Sequence, residues 1–169
     1  MVDSKQYTQR ILQKQLEHVQ KNSDLNVSVG LENNNLFQWN ICFEGPHDSL
    51  YEAGLFQATL TFPDNYPDMP PTMKFTTEMW HPNIYPDGKV CISILHPPGV
   101  DQFNTQESES ERWRPVLTAE NVIISVISML MDPNTESPAN VDASIQFRHD
   151  KEAYIKKVKF LTKKSIGDL

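Results

Sequence analysis

The sequence predicts an α+β domain whose helices are segregated from an antiparallel sheet, and three observations support this. An opening segment rich in Gln, Lys and Glu carries apolar residues at helical spacing; short stretches of period-two patterning follow; helical periodicity then returns near the C-terminus. Helix, then strands, then helices is the order of an α+β fold and not of alternating βα units.

The opening helix is expected over residues 3–22, where Leu12, Leu16 and Val19 recur on one face beside Tyr7 and Ile11. The strand signals are Val27 and Val29; then Phe37, Trp39, Ile41 and Phe43; then Phe56, Ala58, Leu60 and Phe62; and a short run from Thr72 to Thr76. The connections from Glu32 to Asn35 and from Glu44 to Gly54 are turn-rich and too short to hold crossover helices, so the four strands should meander antiparallel. Proline then interrupts the pattern, at Pro67, Pro70 and Pro71 and again from Pro82 to Pro98, where Gly88 adds to the break. This long irregular stretch surrounds Cys91, and a connection of such length calls for a functional explanation.

Thr118 is placed to cap a central helix whose Val122, Ile123, Val126, Ile127 and Leu130 form a broad apolar stripe, and Asp132-Pro133-Asn134 ends it. A short helix near 140–148 and a last one over about 150–164, with Tyr154, Val158 and Leu161 inward, complete the chain. No internal repeat is present, and 169 residues suit one domain, 1–169.

Composition narrows the function. A net charge of −7 argues against nucleic acid as a partner, because phosphate binding needs a concentrated basic surface. Positive charge is local: Arg148 to Lys164 is basic, while Asp101 to Arg112 holds Asp101, Glu107, Glu109 and Glu111. Cys42 and Cys91 form no CxxC or Cys/His metal spacing, so no metal is expected. The chain starts Met-Val-Asp-Ser-Lys with no signal-type apolar run, and no segment is apolar for long enough to enter a bilayer. The expectation is a cytoplasmic or nuclear protein with reduced thiols.

The chemistry concentrates around Cys91. His81-Pro82-Asn83 is followed by Gly88 five residues after the asparagine, Cys91 eight after it, and Leu95 four after the cysteine. By composition alone a reduced cysteine is most often a small buried hydrophobe, which is the reading for Cys42; Cys91 departs from it because a Pro/Gly-rich turn can keep its side chain reachable. The compound pattern resembles the active-site signature of ubiquitin-conjugating enzymes. Tyr66 to Pro71 resembles that family's proline-rich segment, and Trp113-Arg114-Pro115 its Trp-x-Pro, in the right order over nearly the whole chain.

The resemblance implies the ubiquitin-conjugating fold: an N-terminal helix, a four-stranded antiparallel meander, a central helix and C-terminal helices. It implies that Cys91 accepts ubiquitin from the activating enzyme as a thioester and passes it to a lysine with a RING-type ligase, with no cofactor and as a monomer. Asn83 is implied as an oxyanion donor, while its amide could equally brace the loop; His81 is expected to hold the turn. Neither His81 nor His96 lies in a protease signature, and no dedicated base for Cys91 is expected. The family's lysine-orienting Asp is replaced by Ser137, and Ser93 stands where many members have Asp, which leaves Ser137, Ser93, Asp142 and the acidic loop as candidates.

The spacing from Cys91 to Trp113 exceeds the family's usual one, so about 97–111 reads as an acidic insertion. Its Asp101, Glu107, Glu109 and Glu111 either form a solvated loop or raise the local field near the thioester, attracting lysine or a basic partner. It resembles the insertion of the subclass that builds proteasome-directed chains, some members acting in endoplasmic-reticulum-associated degradation. The resemblance also implies partner contacts for Arg10 and Lys14 on the first helix, and for Asp68, Pro115 and Val116 in two loops; Ser28 matches a ubiquitin-binding position on the sheet of some members. A partner could recruit the chain to the endoplasmic reticulum surface without insertion into the bilayer. Two other readings stay open: a non-catalytic ubiquitin-binding adaptor, which would lack the cysteine, and a cysteine hydrolase, which would release ubiquitin from conjugates.

Overall fold

The computed structural model describes residues 3–168; Met1, Val2 and Leu169, at the ends of the expected domain, lie outside the described residues. Helix α1 (Ser4–Lys21) starts at Asp3, whose carboxylate accepts from the Lys5 amide, and buries Leu12, Leu16 and Val19 as its spacing predicts. Strands β1 (Val27–Glu32), β2 (Asn35–Glu44), β3 (Leu55–Thr61) and β4 (Thr72–Phe75) form one antiparallel sheet in sequential order. The helices stand apart from this sheet in sequence, which is the α+β arrangement with the meander that the short connections require.

Strand parity sets the two faces. Trp39, Ile41 and Phe43 of β2 point inward with Phe56, Ala58 and Leu60 of β3 and Met73 and Phe75 of β4, all buried. Residues of the opposite parity, Ser28, Cys42 and Gln57, sit side by side on the outer face, so Cys42 is half-buried and not the core residue expected of it.

Helix α2 (Ala119–Met131) is capped by a reciprocal Thr118–Asn121 box and drives Val122, Ile123, Val126 and Leu130 into the core. It ends before Pro133. Helices α3 (Val141–His149) and α4 (Lys151–Ser165) pack on each other, and α4 also meets β3. Asn140 and Asp150 cap these two helices through their side-chain oxygens.

Polar ties fix the loops to this frame. The Tyr66 hydroxyl donates to Gln15 Oε1 at 2.6 Å, the Ala119 amide donates to the same oxygen at 3.0 Å, and Thr8 Oγ1 donates to Tyr66 O at 2.6 Å. The proline-rich segment, α1 and the start of α2 are therefore locked together. Fully buried Trp113 donates its indole N–H to Pro67 O at 2.8 Å and packs against Tyr66.

The stretch from Pro82 to Pro98 is more ordered than its prolines suggest. Single bridges join Lys74 to Lys89, His81 to Ile84 and Ile84 to Val90, and a 3-10 turn spans Ser93–Leu95. Gly88 explains its own position: it has φ +100°, and a Cβ there would lie 2.2 Å from Phe75 O, in a place where the Phe75 amide donates to Gly88 O at 2.8 Å. Among the described residues no helix is long and apolar enough to cross a membrane.

Candidate active site

Cys91 follows directly on Val90, whose amide is bonded to β4 at Met73 O, and its own amide donates to Asn83 O at 2.9 Å. The turn that holds it is braced by His81. Fully buried, His81 accepts from the Asn83 amide at Nδ1 (2.9 Å) and donates from Nε2 to Met129 O at the end of α2 (2.8 Å), which fixes the tautomer. Burial pushes its pKa down to about 4 despite the bond to Met129 O, so this imidazole is a neutral strut.

Asn83 is also buried. Its Nδ2 donates to Asn134 O at 2.8 Å, and its Oδ1 accepts from the Asn134 amide at 2.9 Å. This reciprocal pair pins the α2–α3 connection beside Cys91, and Pro82 O accepts from both Ala139 and Asn140 to anchor the start of α3. These two bonds use one of the two amide hydrogens of Asn83.

Cys91 opens into a cleft of about 680 Å³ whose wall includes Asn83, Ser93, His96, Glu107, Glu111, Asp132, Glu136 and Ser137. A histidine lies against the thiol. His96 Nε2 is 3.6 Å from Cys91 Sγ, and His96 Nδ1 is 2.7 Å from Glu107 Oε2. A carboxylate only accepts, so Nδ1 carries the proton and the neutral imidazole presents the Nε2 lone pair to sulfur. Where no dedicated base for Cys91 was expected, an imidazole lies against its sulfur.

The source of this arrangement is the insertion. Glu107, its side chain 7% exposed, also accepts from Ser93 Oγ at 2.7 Å and, on Oε1, from Arg112 Nη1 at 2.7 Å. Arg112 in turn donates from Nε to Pro97 O at 2.7 Å, and the Trp113 amide donates to His96 O at 3.0 Å. The roots of the loop are thereby stapled together. The His96 hydrogen bond draws the Cys91 pKa down against the opposing effect of burial, and a smaller lowering comes from the Tyr85 hydroxyl. The His96 pKa is raised, first by Cys91, then by Glu107, with burial opposing.

The other expected residues divide. Ser137 lines the cleft, and Ser93 does too, but its hydroxyl is spent on Glu107. Asp142 is exposed in the first turn of α3 and is not part of the cleft wall, whereas Asp132 and Glu136, which sequence reasoning missed, are. The insertion is not a row of free carboxylates: Glu107 is buried in the network, Asp101 lies 3.7 Å from Arg112, and Glu111 caps a 3-10 turn (Glu109–Glu111) through the Ser108 amide; Glu109 is exposed.

Arg10 and Lys14 are exposed on α1, Asp68 in the proline-rich segment, and Pro115 and Val116 after Trp113, on elements joined by the Gln15 and Trp113 bonds. Ser28 is exposed on the outer face of the sheet. Among the described residues one group, His47, Asp48 and Glu52, brings metal-ligand atoms within 4.8 Å of one another; all three are exposed, His47 contacts both carboxylates, and the group lies outside the cleft.

The family model described as ubiquitin-conjugating enzyme matches residues 11–162. The chain is 52% identical over 160 residues to ubiquitin-conjugating enzyme E2 15 of Schizosaccharomyces pombe, covering 94% of this chain and 95% of that one. It is 51% identical over 156 residues to ubiquitin-conjugating enzyme E2 7 of Arabidopsis thaliana, covering 92% and 93%. It is also 51% identical over 141 residues to the human ubiquitin-conjugating enzyme E2 G2, covering 83% and 85%.

Proposed function

The chain belongs to the ubiquitin-conjugating enzyme family, whose members are cysteine thioester-forming transferases, and on that premise we propose that Cys91 is the residue that carries ubiquitin. One observation carries this reading: Cys91 is the half-buried thiol facing an open cleft, with an imidazole against its sulfur.

In loading, the Cys91 thiolate attacks the thioester on the activating enzyme, its proton having passed to His96, and the acyl group moves from one sulfur to the other. ATP is consumed upstream, and this chain uses no cofactor of its own. In discharge, a lysine amine attacks the thioester carbonyl and an oxyanion forms. Asn83, which lines the cleft, donates its second amide N–H to this oxyanion in our reading, a contribution of about 3 kcal/mol for one such donor, while its bonds to Asn134 hold the loop. Glu111, Asp132 and Glu136 give the cleft a negative rim that draws in the lysine ammonium.

We assign ligase and activating-enzyme binding to the surface carrying Arg10, Lys14, Asp68, Pro115 and Val116, with a RING-type ligase as partner. The chain acts as a monomer at the cytoplasmic or nuclear side, is brought to the endoplasmic reticulum surface by a partner, and builds proteasome-directed chains. The acidic insertion, together with the likeness to the ubiquitin-conjugating relatives, supports this assignment.

The test is a non-reducing gel of the chain incubated with activating enzyme, ubiquitin and ATP. A thiol-sensitive adduct that Cys91→Ser abolishes or converts to a stable ester is expected. No adduct, or one that survives Cys91→Ala, would sink the assignment.

A further inference from the structure

Resting on that reading, we propose that His96 is the catalytic base for the incoming lysine, with Glu107 as its positioning residue. Ser137 and Ser93 cannot do this work: a serine hydroxyl does not accept a proton near neutrality, and that of Ser93 already donates to Glu107. Asp142 lies outside the cleft wall.

His96 meets the geometric requirement. Its Nε2 is 3.6 Å from the sulfur that bears the acyl group, so it flanks the carbonyl that the amine attacks. Glu107 holds the opposite nitrogen at 2.7 Å, which fixes the tautomer that offers a lone pair, and is itself fixed by Arg112 and Ser93. A buried carboxylate with three partners, reaching across an insertion to orient one imidazole, is more than a solvated loop requires.

The proton accounting closes. The lysine ammonium loses one proton to solvent and enters as the free amine. As nitrogen bonds to the carbonyl carbon, the second proton passes to His96 Nε2. The C–S bond then breaks with its electron pair on Sγ, and the imidazolium stays beside the thiolate or protonates it. Ammonium and thioester become amide, thiol and one solvent proton.

The groups that face His96 suit this cycle. Cys91 and Glu107 touch it, Arg112 acts through Glu107, and Tyr85 acts through Cys91. Across the cleft stand Asp132 and Glu136 from the α2–α3 connection, with Glu111 from the insertion. In the free enzyme Cys91 is the first cause that raises the His96 pKa; acylation removes that thiol, so the imidazole becomes easier to keep neutral once ubiquitin is loaded.

The experiment follows single-turnover discharge of preloaded enzyme to free lysine from about pH 5.5 to about 9, the span in which an imidazole titrates. Loading is done at about pH 8.5, where a thiol ionises without help. Wild type should show an imidazole inflection. His96→Gln should be about 100-fold slower at neutral pH and lose the inflection, and added imidazole should restore part of the rate to His96→Gly. Glu107→Gln should keep the inflection but displace it. Discharge of His96→Gln at the wild-type rate, or uniform slowing at every pH without imidazole rescue, overturns the proposal and leaves the thioester reading intact. A wild-type chain that never loads overturns both.

Discussion

Acidification from pH 7 to pH 5 should cost this fold stability through His81, with the loss worked out as follows. The folded imidazole has its pKa lowered to about 4, against 6.5 for the free side chain. Between those values the unfolded chain binds a proton that the native chain does not, so stability falls as pH falls and is fully present only above about 6.5. Linkage over that interval gives about 2 kcal/mol, a sizeable part of the 5–15 kcal/mol that holds a typical domain together.

His96 acts in the other direction. Its raised pKa favours the folded state below the unfolded value and loses that contribution as pH rises, so it masks part of the His81 effect. The assay is therefore urea denaturation of His96→Gln across about pH 7 to 5, above the range in which most carboxylates titrate. NMR titration of the His81 ring accompanies it. A His81 ring that titrates near 6.5 in the intact fold, or a variant whose stability is flat over this interval, would refute the assignment of His81 as a buried neutral strut.

Three further outcomes are expected. Alkylation of Cys91 by iodoacetamide, followed in a Cys42→Ser background because Cys42 is also partly exposed, should have its pH midpoint below the ordinary thiol range, and His96→Gln should move it up. Gly88→Ala should destabilise the fold by about 2 kcal/mol or more by calorimetry, since it forces a Cβ against the Phe75 carbonyl at a left-handed φ. Arg112→Leu should cost about 3–5 kcal/mol by leaving buried Glu107 without its cation, and limited proteolysis should then cut within 97–111; the double change with Glu107→Leu should recover much of the stability.

The sheet was legible because period-two patterning states which side chains face inward. Trp39, Ile41 and Phe43 sit where their parity puts them. The same parity turns Cys42 outward, a signal present in the sequence and overruled by the general tendency of cysteine to be buried. The helices were legible from their stripes and, for α2, from its cap Thr118; the caps Asn140 and Asp150 of α3 and α4 emerge only in the structure. The His96–Glu107 contact was not, because its partners lie eleven residues apart with an irregular loop between them. No periodicity encodes such a pairing, and only the return of the chain through Arg112 and Trp113 creates it. The nearest hint was a histidine five residues after Cys91 at the mouth of an acidic insertion.

That return also determines which parts of the loop are free to change. Trp113 to His96 and Arg112 to Pro97 close the insertion at its base, so chain added at the tip is charged only the slow logarithmic entropy of a longer loop, about 0.6 kcal/mol for each doubling. The tip around fully exposed Phe103 can therefore lengthen, shorten or change its composition while the cleft beneath keeps its shape. Glu107 has no such latitude, being a tip residue in sequence but a core residue in its bonds. New recognition segments can be spliced into the loop N-terminal to Glu107 without disturbing the chemistry at Cys91, whereas a one-residue shift of Glu107 itself would uncouple the loop from the thiol.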